Sequence, residues 1–219
     1  MGSPKKKASE VAALLDLQPH PDGGFYLETF RDSSITLSKS QLPPQYNVDR
    51  AVSSAIYFLL PSGNVAHLHR IPCAETWHFY MGEPLTVFEL LDDGQVKLTI
   101  IGPELEAGHR PQYTVPPNVW FGAFLTLDVE SSPDDGSVHV KTSSRDPELH
   151  YSLVDPCALP SVQGNSAPSL SKQRIGSKLL YIIVSMNGAQ VGHPLIAGCI
   201  DGEEVIKLWT RMSPVVPCG

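Results

Sequence analysis

His67 and His69 stand two residues apart in the run Gly63-Asn64-Val65-Ala66-His67-Leu68-His69-Arg70, and Glu75 opens the run Glu75-Thr76-Trp77-His78-Phe79-Tyr80-Met81-Gly82. Strand side chains alternate faces, so on a regular strand the two imidazoles share a side, and a bulge at Leu68 would break that parity. Two imidazoles and a carboxylate from adjacent strands supply three legs of a divalent-metal site of the kind that takes iron, manganese or zinc. Without a metal, an imidazole exchanging protons near neutral pH suits His69 or His78 to acid–base work on a bound small molecule. His78 falls on the opposite parity from Glu75, and its structural alternative is a histidine hydrogen-bonded between sheet and loop.

Other residues could bind rather than react. Arg31 carries a guanidinium fork suited to phosphate or carboxylate, and Glu28 precedes it by three residues, so an exposed salt bridge is the alternative. Tyr57 and Tyr80 are core aromatics or pocket hydroxyls. Trp120 is a core side chain or, near Gln112 at a barrel mouth, a stacking surface for a sugar or base. Neither a Ser-His-Asp arrangement nor a phosphate-cradling Gly loop is present, and Asp134-Asp135-Gly136 lacks calcium-loop spacing.

These residues need a scaffold of strands. Ser9 to Leu17 predicts one short amphipathic helix with Ser9 as N-cap, broken by Pro19, Pro21, Gly23 and Gly24. Phe25 to Phe30 reads as a strand, and Ser33 to Asp49 as a polar surface loop containing Pro43-Pro44. Short strands then follow closely: 55–60, 65–71, 76–80, 86–91, 96–101, 112–115, 119–127, 138–141 and 151–154, with Asp92-Asp93-Gly94 as a hairpin turn. Many short strands and one helix give an all-β fold, a sandwich or barrel. Residues 155–178 are rich in Ser, Pro, Gln and Gly, and Leu179–Met186 is an apolar run too short to type by period.

With 219 residues, 42% hydrophobic and 18% charged, the chain is long enough for one full core. The net charge of −7 and the lack of a basic stripe argue against nucleic acid. No apolar run approaches the roughly 20 residues that a membrane span needs. No secretory signal is recognised, and four dispersed cysteines suit a reducing cytoplasm. Pro4 to Lys7 is a weak nuclear signal, more simply a solvated basic tail over residues 1–8.

His-x-His, a short gap, Glu75, six residues and Gly82 together resemble the first motif of the cupin superfamily. Three further blocks are similar to the family Cupin_5. They are Leu17 to Arg31, Ala55 to Leu60 with His69 to Leu85, and Gly102 to Phe121. The resemblance implies a double-stranded β-helix, the jelly-roll barrel shared with dTDP-sugar epimerases, and a homodimer. It covers about Leu14 to Val154 and then stops, implying a cupin domain over 9–154, a missing or replaced closing strand, and an atypical tail over 155–219 that tolerates truncation. A fourth metal ligand, usually a histidine of the second cupin motif, is replaced by Phe121. The expected function is binding of a small polar metabolite, sugar- or nucleotide-like, with isomerase or epimerase chemistry. The alternatives are a metal-dependent enzyme using His67, His69 and Glu75, and a non-catalytic metabolite-binding module.

Overall fold

The structure is a computed structural model of the chain and describes residues 6–20, 23–44, 46–91, 96–131, 138–140 and 145–159. The hairpin turns at 92–94 and 134–136 and the apolar run 179–186 lie outside the described residues. One helix, α1 (Ala8–Leu14), precedes the strands β1 (Gln18–Pro19), β2 (Phe25–Arg31), β3 (Thr36–Leu37), β4 (Arg50–Ala51), β5 (Ser54–Pro61), β6 (Val65–Arg70) and β7 (Ala74–Gly82). Then come β8 (Leu85–Leu90), β9 (Val96–Ile101), β10 (Gln112–Val115), β11 (Trp120–Leu125), β12 (Val129–Ser131), β13 (Val138–Val140) and β14 (Tyr151–Leu159).

Two antiparallel sheets carry the fold, a six-stranded sheet in the order β1-β2-β5-β14-β7-β10 and a four-stranded sheet in the order β6-β11-β8-β9. The order departs from the sequence order because jelly-roll connections cross between sheets, which the strand pattern alone does not reveal. Between the sheets lies a core that includes Phe58, Leu60, Trp77, Leu85, Val87, Ile101, Phe121, Leu125 and Val154. Alternation places the other parity outside. On the outer face of the six-stranded sheet, Ala8, Val11 and Leu17 bury Leu59, Tyr151 and Leu153 beneath α1.

The N-cap lies two residues before the expected one. Lys7, not Ser9, takes that position, because Ser9 is held by a distant residue: its N–H and hydroxyl both donate to Glu148 Oε2, at 3.2 and 2.6 Å. Glu10 reaches back to the Lys7 N–H at 2.8 Å, satisfying an orphan donor of the first turn.

The largest departure from expectation is the closing strand. β14 continues past Val154 to Leu159 and lies in the middle of the six-stranded sheet, between β5 and β7. Beyond Val154, Asp155, Cys157 and Ala158 pair with His78, Thr76 and Glu75 of β7. Pro156 offers no N–H to the ladder. The Asp155 carboxylate compensates on the β5 side by accepting the Ile56 N–H at 3.1 Å. The domain boundary expected at Val154 therefore falls inside a central strand.

At one end of the barrel an ion network ties loops together. Arg145 donates to Asp128 Oδ1 at 3.1 Å and to Glu83 Oε1 at 2.8 Å. Asp128 also accepts from the Ser62 hydroxyl at 2.7 Å and the Gly63 N–H at 2.8 Å. His150 Nδ1 lies 2.6 Å from Glu83 Oε1. Burial alone would raise the Glu83 carboxyl, but the hydrogen bonds from His150 and Arg145 outweigh it and hold it below its ordinary value. At Gly82, with φ of 100°, an added Cβ would stand 2.2 Å from the Tyr151 carbonyl oxygen, so only glycine closes β7 here.

Removing one partner of a mostly buried ion pair strands the other, so Arg145→Met should destabilise the chain by about 2–4 kcal/mol in denaturant unfolding. Because the folded Glu83 carboxyl sits below its unfolded value, its contribution is present above the unfolded value and is lost as pH falls through the folded one. Glu83→Gln should therefore flatten the acid limb of the stability curve below about pH 4. A chain ending at Val154 should lose its cooperative thermal transition, whereas one ending at Ser161 should keep it.

Candidate functional site

The register assigns each interior side chain to a row. Across the six-stranded sheet, Arg31, Ser54, Ala158, Glu75 and Val115 are successive partners and share one face. Val115 belongs to the core between the sheets, so this is the interior face. Across the four-stranded sheet, Lys97, Glu89, Phe121 and His69 are successive partners, with Phe121 in the same core. One step deeper the interior turns apolar: Val87, Ala123 and Ala66 on one sheet, Trp77 on the other. The interior thus has an apolar floor and one polar end, formed by Glu28, Arg31, His69, Glu75, Glu89, Lys97 and Tyr113.

His69 enters this end because β6 contains one extra residue. Phe121 pairs with His69 and Ala123 with Ala66, so His67 and Leu68 together oppose Gly122. The bulge reverses parity between Ala66 and His69, leaving His69 inside and His67 on the outer face. Gly122 permits it: an added Cβ would stand 2.7 Å from the Ala66 carbonyl oxygen and from the Phe88 ring. The shared face expected for the two histidines is therefore corrected. His69 Nδ1 lies 2.7 Å from the His67 carbonyl oxygen, so Nδ1 carries the proton and Nε2 the lone pair. Its ring rests on Phe121, with centroids 4.3 Å apart.

Glu75 is buried at 8% exposure on the same interior as His69. The proposed three-ligand metal set does not fit, because His67 faces away from this interior and Phe121 occupies the fourth position. Among the described residues no group of three or more His, Cys, Asp or Glu side chains could hold a metal ion.

Arg31 and Glu28 do meet: Arg31 Nε donates to Glu28 Oε1 at 2.9 Å, and Nη2 contacts Oε2. Three further residues of this end escaped the sequence reading. Glu89, 1% exposed, accepts from the Tyr113 hydroxyl at 2.5 Å and pairs with Lys97 Nζ at 3.1 Å. Lys97 Nζ also donates to the Tyr113 oxygen. The hydrogen bond to Tyr113 and the Glu89 carboxylate outweigh burial and raise the Lys97 ammonium above its usual value, while burial and then Glu89 raise the Tyr113 phenol. A signal was available, since Glu89 has the parity of Leu85 and Val87, and Lys97 that of Thr99 and Ile101.

The remaining candidates lie elsewhere. His78 and Gln112 are register partners on the outer face of the six-stranded sheet, beside Asp155. There the Tyr80 hydroxyl donates to Asp155 Oδ2 at 3.1 Å, and His78 Nδ1 stands 3.8 Å from the same oxygen. Burial, then Asp155, pushes the Tyr80 phenol up to about 12. Tyr57 packs edge-on against Tyr80 at 5.9 Å. Trp120 faces outward from the four-stranded sheet, under the Arg70 guanidinium at 5.0 Å. His78, Tyr57, Tyr80, Gln112 and Trp120 therefore do not line the barrel interior, for the same parity reason that places Trp77 and Phe121 inside.

Over the polar end lies Tyr46, 2% exposed, packed on Cys73 and Ala158. It comes from the segment expected to be surface loop. That segment is pinned instead by pairing of β3 with β4 and by the Lys39 N–H donating to Asp49 at 2.7 Å.

Comparison with known proteins agrees with this architecture. A hypothetical protein from Leishmania major is 28% identical, with a TM-score of 0.55 over 72% of this chain and 83% of that one. A protein from Shewanella oneidensis is 28% identical, with a TM-score of 0.53 over 72% of this chain and 80% of that one. No curated protein matches the chain. The family described as Cupin superfamily (DUF985) matches residues 9–161, past the end of the resemblance seen in the sequence. With most of its length matched, and with a two-sheet antiparallel barrel to carry it, the chain belongs to this cupin family.

Proposed function

We propose that the chain binds a small polar metabolite, sugar- or nucleotide-like, at the polar end of the barrel, and that His69 exchanges a proton with it in an isomerase or epimerase reaction. The observation that carries this reading is the His69 imidazole, fixed through Nδ1 to the His67 carbonyl oxygen, with its Nε2 lone pair in an interior otherwise rich in carboxylates. A base held in one tautomer and orientation can take a proton from a carbon acid without reorganising. Glu75 and the linked Glu89, Tyr113 and Lys97 supply the donors and acceptors that orient hydroxyls. The apolar floor beneath bounds the ligand's depth.

A non-catalytic binding module uses the same residues, and the two separate by isotope exchange. Sugars and nucleotide sugars incubated with the protein in deuterium oxide should take up deuterium at the carbon next to a carbonyl, read by NMR. In His69→Asn the rate should fall by about 100-fold or more, while ligand affinity changes much less. Binding without exchange in the wild type would support the module instead.

The homodimer is proposed on a separate observation. Phe30, Tyr80 and Met81 are 53%, 47% and 39% exposed, an unusual display for sheet residues facing water. Light scattering should give twice the chain mass, and Phe30→Glu should return the monomer.

A further inference from the structure

Among the described residues, three cationic side chains belong to the polar end of the barrel and its cover, and two are engaged. Arg31 is held by both oxygens of Glu28. Lys97 is held by Glu89 and Tyr113. The third, Arg50, has no carboxylate within ion-pair distance among the described residues, and its Nε is buried without a hydrogen-bond partner. A buried N–H that has surrendered its water and gained no acceptor is costly, and such groups in native proteins call for an explanation.

Its place in the fold supplies one. Arg50 lies on β4, fixed by pairing with β3. Its guanidinium stands 6.0 Å from the centre of the Tyr46 ring. Tyr46 packs on Ala158, the register neighbour of both Ser54 and Glu75 in the polar row. Arg50 therefore belongs to the cover of the end that holds His69 and Glu75, not to the distant outer surface.

We propose that Arg50 is the anion-recognising residue of the barrel site, and that the ligand carries a carboxylate or phosphate group which accepts the Nε–H. The inference rests on the reading of the polar end as the metabolite site and narrows its ligand class. A guanidinium fork presents Nε–H and an Nη–H side by side to two oxygens of one anion. Arg31 would have to break a paired arrangement to do the same, whereas Arg50 gains a partner that it lacks.

The test uses the full chain with inorganic phosphate, malonate and the neutral malonamide as probes. The Arg50 Nε–Hε resonance is assigned by its loss in Arg50→Lys. Phosphate or malonate should shift that resonance and malonamide should not, and the tighter of the two anions identifies the group. Arg50→Gln should weaken binding of that anion by about tenfold or more. An unshifted resonance at millimolar anion, or equal affinity in Arg50→Gln, overturns the inference. The resonance is read on the wild-type fold, so the result stands even where a variant folds poorly. Sugar binding that needs His69 and ignores Arg50 would overturn this inference alone. An anion response at Arg50, with no ligand dependence on His69, would overturn the proposed function instead.

Discussion

The chemistry of this barrel depends on a single extra residue in β6. Without the bulge opposite Gly122, strand alternation from Ala66 would turn Leu68 inward and send His69 out of the interior. The bulge needs a partner strand without a side chain at that point, because the Phe88 ring and the Ala66 carbonyl already fill the space a Cβ would take. Sequence and site are thus coupled through packing: Gly122 admits the bulge, the bulge turns His69 inward, and the His67 carbonyl that it exposes fixes the imidazole tautomer.

The two ends of the barrel divide the work between stability and binding. Around Arg145, charges are matched and hydrogen-bonded, tying together loops from Ser62, Glu83, Asp128 and His150. Networks of that kind hold a fold in register once every member is satisfied. At the other end carboxylates, an imidazole and a phenol converge above an apolar floor. Such a combination costs stability unless a ligand or a neighbouring charge compensates it. The Glu89, Tyr113 and Lys97 linkage compensates part of it and also joins β10 to the edge of the facing sheet, so that a binding surface and a seam share the same side chains.

Much of this was legible in the chain. Period-two alternation located β5 to β11, and the His69, Glu75 and Gly82 spacing located the barrel motif, because strand period and turn glycines are local signals. What was not legible depends on contacts between distant segments. The pairing of His67 with His69 failed because a bulge is decided by the partner strand. The helix cap shifted because Glu148, far along the chain, claims Ser9. The strand ending at Leu159 was read as a break because the family pattern stops at Val154 and the composition turns rich in Ser and Pro, while the Asp155 carboxylate that satisfies Ile56 is visible only once β5 lies beside it. Tyr80 and His78 meet at Asp155 and Tyr57 packs on Tyr80, but on the outer face, because core aromatics of the opposite parity already fill the inside.

The most direct test is the protonation pattern of the two imidazoles. Long-range heteronuclear NMR, with resonances assigned by His67→Asn and His69→Asn, reads which ring nitrogen carries the proton at a pH where the rings are neutral. The account predicts His69 as the Nδ1–H tautomer, with an Nε2 resonance that responds to ligand while His67 does not. A His69 ring protonated on Nε2, or a ligand response centred on His67, would contradict the bulge as the element that builds the site.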